Sequence, residues 1–180
     1  MSRRKVPSPA RLLFSVIYRE ERDFDRSLRT ISGRLGTVAR ISEPFPFDRT
    51  EYYEREMGAP LFRRFLLATE AVSRDELAAA KLTAEAIENE FLVNGKRTVN
   101  IDPGLLTDEN VVLATGKNYS HRIYLHDGVF ADLTLVFEKG EYRPLPWTYP
   151  DYASAEIRAF LAGWRREFRE ERKQAVGGDS

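Results

Sequence analysis

The chain has 180 residues, of which 28 are basic, 28 acidic, two histidine and none cysteine. That length fits one domain able to bury roughly 70% of the surface its unfolded form exposes, and the lack of cysteine excludes disulfides, thiolate nucleophiles, iron–sulfur clusters and cysteine-type zinc sites. Balanced charge argues against a dedicated DNA binder, no apolar run approaches the ~20 residues that span a bilayer, and a cytoplasmic protein with no membrane partner is expected.

Residues 1–9 carry a basic cluster broken by Pro7 and Pro9 and read as a disordered N-terminus, with a single α/β domain over 10–172 and a disordered tail over 173–180. Ala10 to Tyr18 is a compact apolar run rich in Leu, Phe, Val and Ile, the pattern of a central strand covered on both faces. From Asp23, the expected N-cap, Phe24, Leu28, Ile31 and Leu35 recur at helical spacing and Gly36 closes the helix. Val38 to Phe47 reads as a strand stiffened at its end by Pro44 and Pro46. Residues 51–57 fit strand alternation as well as a short capped turn. The turn signal Gly58-Ala59-Pro60 favours a hairpin between them and 61–69.

The capping box Ser73-Arg74-Asp75-Glu76 opens the best specified helix, with Leu77, Ala80, Ala84, Ile87 and Phe91 as its buried stripe and Asn94-Gly95 as its end. A strand over 97–102 follows and stops at Pro103; Leu106 to Thr115 fits either a short strand or an irregular crossing. Asp127-Gly128 marks a two-residue hairpin turn within Ser120 to Phe137, and Lys139-Gly140 a second turn toward Tyr142 to Leu145. Ile157, Phe160, Leu161, Trp164 and Phe168 stripe the last helix. The order predicts an α/β (α+β) fold: a mixed sheet with a ferredoxin-like βαββαβ-type core, added C-terminal hairpins and a closing amphipathic helix.

Chemistry-bearing residues concentrate between Arg97 and Tyr152. Ala114-Thr115-Gly116-Lys117-Asn118 has the look of a phosphate loop, but Val111 stands where its first glycine belongs and Asn118 where Ser or Thr belongs; dinucleotide, zincin and nucleophile-elbow patterns are absent. A two-residue Asp127-Gly128 loop pairs Ile123 with Asp132 and His121 with Thr134. His121, Asp132 and Thr134 then share one face, with Arg122 and His126 on the other. Asp132 would orient the His121 imidazole as an acid or base, with Lys117, Asn118 and Arg122 holding an anion such as phosphate or carboxylate and Thr134 and Asn100 beside the substrate. The plain structural alternative is a hydrogen-bonded sheet histidine beside a solvated turn. Thr98, Asn100 and Asp102 share a strand face, so Asp102 with Asp48 would supply oxygens to Mg²⁺, against the alternative of a polar edge and a cap. Trp147, Tyr149 and Tyr152 are read as packing on the sheet or as stacking surfaces.

Taken together, PFPFDRTEYYEREMG at 44–58, VNIDPG at 99–104, VLATGKNYSHRIYL at 112–125, the DGVFADLTL hairpin return and PWTYPDY at 146–152 resemble a bacterial family catalogued as domain of unknown function 4416. The resemblance covers nearly the whole chain and implies one full-length domain without naming a substrate. Three functional readings follow: an enzyme acting on a phosphorylated or nucleotide-like small molecule, a noncatalytic module binding a nucleotide, RNA or protein, and a structural protein whose polar strings cap turns.

Overall fold

The computed structural model describes residues 3–50 and 52–177, with side chains as far as 174. In chain order these form β1 (Ala10–Tyr18), α1 (Glu21–Arg34), β2 (Val38–Ile41), β3 (Phe45–Pro46), the single-turn α2 (Glu54–Met57) and β4 (Phe62–Val72). There follow α3 (Leu77–Glu90), β5 (Leu92–Val93), β6 (Lys96–Arg97), β7 (Val99–Leu106), β8 (Asn110–Thr115), β9 (Arg122–Tyr124), β10 (Phe130–Glu138), β11 (Glu141–Pro144) and α4 (Ala155–Gly177).

The run of β1, apolar but for Arg11 and Ser15, is buried along both faces because helices cover both. Ala10, Leu12, Phe14, Val16 and Tyr18 join one cluster with Phe24 and Ile31 of α1 and Leu77, Ala80, Ala84 and Ile87 of α3. Leu13, on the opposite face, joins Ile157, Leu161 and Trp164 of α4. The sheet runs β11-β10-β8-β7-β1-β4-β2, with β3 added beside β4 and β9 beside β10. Where a mixed sheet is expected, every pairing among the described strands is antiparallel. The helical crossover β1-α1-β2 leaves its two strands separated by β4, and β4-α3-β7 leaves its two separated by β1, so like-directed strands never touch.

Several local expectations give way to tertiary context. Residues 54–57 form a helical turn whose Met57, with Phe47, Leu61 and Ile17, makes a third apolar cluster, so no hairpin joins 51–57 to β4; position 51 lies outside the described residues. Edge pairing on β4 is instead made by β2 and β3, broken between them at Ser42–Pro44. Asp23 lies inside the first turn of α1, where its charge faces the positive end of the helix dipole, rather than capping it. Ser73 and Glu76 do form the box, with Ser73 N donating to Glu76 Oε1 at 3.0 Å. Asn94 and Gly95, at φ 52° and 74°, turn the β5–β6 hairpin rather than capping α3. The 106–115 region contains β8, and β7 continues through Pro103 to Leu106. At the C-terminus α4 runs to Gly177, beyond the expected tail boundary at 173; residues 1–2 and 178–180 lie outside the described residues. No described helix is long and apolar enough to cross a membrane.

Candidate functional site

Alternate residues of β1 define a seam on the α4 face. Leu13 is covered by the α4 cluster and Ile17 by the α2 cluster, and between them stands Ser15, paired across β1 and β7 with Asp102. The two covers are different chain segments, so polar side chains gather where they meet. Tyr152 borders the seam from the first cover and Tyr53 from the second. Arg63 reaches the Asp151 carboxylate and lies over the Phe47 and Tyr152 rings, at 4.7 and 5.0 Å from their centroids.

A slot adjoins the seam. β7 pairs with β8 only through Gly104–Leu106 against Val111–Leu113, while β8 continues to Thr115. Pro103 has no N–H with which to extend that ladder. The Ile101 N–H, two residues earlier and on the same edge, is taken at 2.5 Å by Glu88 Oε1 from α3. Gly104 marks the apex, because a Cβ there would lie 2.7 Å from the Val112 carbonyl oxygen and 2.8 Å from Leu113 Cδ2. Lys81 of α3 enters the opening, its Nζ 3.6 Å from Asp102 Oδ1 and 3.8 Å from Glu85 Oε1. Asn100 Nδ2 donates to Asp102 Oδ2 at 2.7 Å and Asn100 Oδ1 accepts from Arg97 at 2.8 Å; Arg97 in turn grips both oxygens of Glu56, at 2.9 and 2.7 Å.

The second wall is the β9–β10 hairpin. Asp127 and Gly128 make the expected turn with φ of 51° and 77°, and Val129 N donates to His126 O at 2.9 Å. However, Leu125 N, not His126 N, donates to Val129 O, so His126 is a bulge and the register slides by one residue. Arg122, rather than Ile123, therefore lies opposite Asp132, and the predicted separation of Arg122 from the Asp132 face is overturned. His121 precedes β9 in the turn where Arg122 N donates to Tyr119 O at 3.0 Å, so strand alternation does not govern its side chain. It swings to Asp132, with Nε2 3.3 Å from Oδ2. Its ring stacks on Trp147 at 4.9 Å and 13°, and Trp147 is fixed by donating Nε1–H to Leu133 O at 2.8 Å.

Asp132 is 2% exposed. Arg122 Nε donates to its Oδ2 at 2.9 Å, while the other Arg122 nitrogens donate to Lys117 O and to the Tyr149 hydroxyl, each at 2.9 Å. Arg122 thus ties the hairpin to the 117 turn and to the 145–154 segment instead of presenting an open fork to an anion. Thr134 is fully buried behind Asp132, its hydroxyl donating to the Asp132 carbonyl at 3.1 Å, and Asn100 is buried behind Asp102. The sequence places both beside the substrate; in the structure both are buried, behind the two carboxylates. Lys117 stays at the surface, its Nζ donating to the Tyr52 hydroxyl at 2.7 Å, and Asn118 is exposed beside it. Asp48 is exposed in the loop after β3, no contact joins it to Asp102, and no group of three His, Asp or Glu side chains among the described residues is arranged to hold a metal ion.

The two walls act on common groups. Burial raises the Tyr149 hydroxyl above its ordinary pKa; Arg122 opposes this, Asp132 and Asp102 reinforce it, and Lys117 opposes it. Burial likewise raises Tyr53, with Asp102 adding to the effect. Outside the mouth, an open depression of about 640 Å³ is lined by Thr50, Tyr52, Arg55 and Glu56. Sequence reading missed Lys81, Glu88, Glu56 and Arg97. The signal for the first two was present: Leu77, Lys81, Ala84, Glu88 and Phe91 fall on one helical stripe, and charges inside an otherwise apolar stripe require buried partners.

The family model described as Domain of unknown function (DUF4416) matches residues 8–168. No curated protein and no solved structure matches the chain. The strings 44–58, 112–125 and 146–152 meet at this site through the Lys117–Tyr52 and Arg122–Tyr149 contacts, and 99–104 joins 44–58 through Arg97, which donates to both Asn100 and Glu56.

Proposed function

This chain belongs to the family described as Domain of unknown function (DUF4416), and we propose that it is a cytoplasmic enzyme that performs proton transfer on a small phosphorylated molecule, with His121 as the acid–base group. The carrying observation is the way His121 is held: Nε2 on a buried carboxylate, ring stacked on Trp147, and Nδ1 without a hydrogen bond among the described residues. Asp132 accepts from Nε2–H, which orients the ring and places the free lone pair on Nδ1, where it can take a proton. Arg122 positions Asp132 and Tyr149. Lys117, with Asn118, supplies positive charge and an amide donor to a phosphate at the mouth.

The test is a turnover screen of phosphorylated metabolites with the parent chain and with His121→Gln. Conversion of a substrate by the parent, reduced by about 10²–10⁴-fold in the variant, is the expected result for loss of general acid–base catalysis. Conversion that survives unchanged in His121→Gln overturns the assignment. A second reading, noncatalytic binding of a nucleotide or RNA, is favoured by the exposed Tyr119, Tyr124 and Ile123 beside the hairpin. Salt-dependent RNA binding without turnover would select it.

A further inference from the structure

We propose that Lys81 and Asp102 form a hydroxyl-binding subsite in the slot between β7 and β8, so that the ligand is a phosphorylated sugar or polyol. The inference rests on the reading of the cleft as a site for a phosphorylated molecule and adds the group that lies at its deep end.

Lys81 is 7% exposed, yet its ammonium makes no hydrogen bond to any described residue. Its two carboxylate neighbours are 3.6 and 3.8 Å away, beyond hydrogen-bond range. An ammonium at the tip of so buried a side chain, without a hydrogen bond, has donors to offer. Asp102 Oδ2 already accepts from Asn100, whereas Oδ1 faces Lys81 across the longer gap. A second anion would meet Asp102 and Glu85 together against one lysine. A neutral hydroxyl fits both partners, accepting from Lys81 and donating to Asp102 Oδ1.

The surroundings are of matching chemistry. Ser15 Oγ and the Tyr152 hydroxyl are buried and face each other, and neither has a hydrogen-bond partner elsewhere among the described residues. Ser15 stands directly across from Asp102, and the Asp102 charge acts on the Tyr152 hydroxyl. The deep end is therefore rich in neutral hydroxyls and one donor–acceptor pair, while the mouth carries Lys117. A ligand with a phosphate at one end and hydroxyls at the other matches that gradient.

Isothermal titration of the full chain with D-ribose 5-phosphate, glycerol 3-phosphate and inorganic phosphate tests the assignment. At least one of the two organic phosphates is expected to bind about tenfold or more tightly than inorganic phosphate, with Lys81→Met and Asp102→Asn each lowering that affinity about tenfold. Inorganic phosphate should respond to Lys117→Met and not to Lys81→Met. The subsite is overturned if neither organic phosphate binds more tightly than inorganic phosphate. It is also overturned if the near-isosteric Asp102→Asn, shown folded by its unfolding midpoint, binds as the parent does. Turnover by His121→Gln, read beside binding by Lys81→Met, separates the two ideas. Turnover unaffected by His121→Gln together with binding lost in Lys81→Met would remove the acid–base reading and support the subsite.

Discussion

One oxygen of Asp132 serves both His121 and Arg122, at 3.3 Å from Nε2 of the first and 2.9 Å from Nε of the second. A carboxylate this buried is tolerated because the guanidinium neutralises it and the Thr134 hydroxyl lies 3.4 Å from its other oxygen, Oδ1. Asp132→Ala strands Arg122 and should lower unfolding free energy by about 3–5 kcal/mol in urea denaturation. Asp132→Asn keeps the volume and should lose less. In the parent, long-range ¹H–¹⁵N correlation should report the His121 proton on Nε2, and in Asp132→Asn that tautomer should no longer dominate. An unchanged tautomer signature would show that Asp132 does not set the ring.

Gly104 is needed for close approach rather than for an unusual φ. A methyl at its Cβ position would sit 2.7 Å from the backbone oxygen of Val112, inside the last stretch of ladder joining β7 to β8. Gly104→Ala should destabilise the chain by about 1–3 kcal/mol, measured as a shift of the denaturant midpoint at constant slope. Gly163, which has nothing within 4 Å of an added Cβ, provides the contrast, and Gly163→Ala should not destabilise.

The layers and the hairpin turn could be read from the chain because each rests on local chemistry: a compact apolar strand, helical stripes, and Asp127-Gly128 adopting left-handed φ values. Partner identity along the hairpin could not, since the bulge at His126 is one residue wide and nothing in the alternation of HRIYLH marks it. His121 reaches Asp132 despite that slip because it lies outside β9. The α2 turn escaped because its Met57 side chain is drawn to Ile17, a contact made far away in sequence. The Lys81 and Asp102 pairing escaped for the same reason: it requires β7 and β8 to part, and Pro103 alone does not reveal where.

Glu56 and Glu88 flank Arg97 and should respond oppositely to acid. Hydrogen bonds from Arg97 hold the Glu56 carboxyl below its ordinary value of 4.5, so its stabilising contribution is present above that pH and is lost as pH falls through the folded value. The stability difference between parent and Glu56→Gln should therefore be largest near neutrality and shrink in acid. Burial raises Glu88, which makes the folded chain take up a proton before the unfolded chain does. Its contribution should grow as pH falls from the folded value toward 4.5, and Glu88→Gln should remove that gain. Urea midpoints between pH 3.5 and about 7.5 measure both slopes; slopes of the same sign for the two variants would contradict the assignment.

Trp147 holds His121 by two features that can be separated. Its ring stacks at 4.9 Å on the imidazole, and its Nε1–H is anchored on the backbone oxygen of Leu133, next to Asp132. Trp147→Phe keeps an aromatic face but leaves the anchor unmade, at a cost of about 1 kcal/mol in stability. Trp147→Ala removes the face as well and should cost more than Trp147→Phe. The His121 ring protons, shielded by the indole in the parent, should move downfield in Trp147→Ala and only partly so in Trp147→Phe. If both variants leave those resonances where the parent has them, the stack does not hold the imidazole, and the orientation of His121 rests on Asp132 alone.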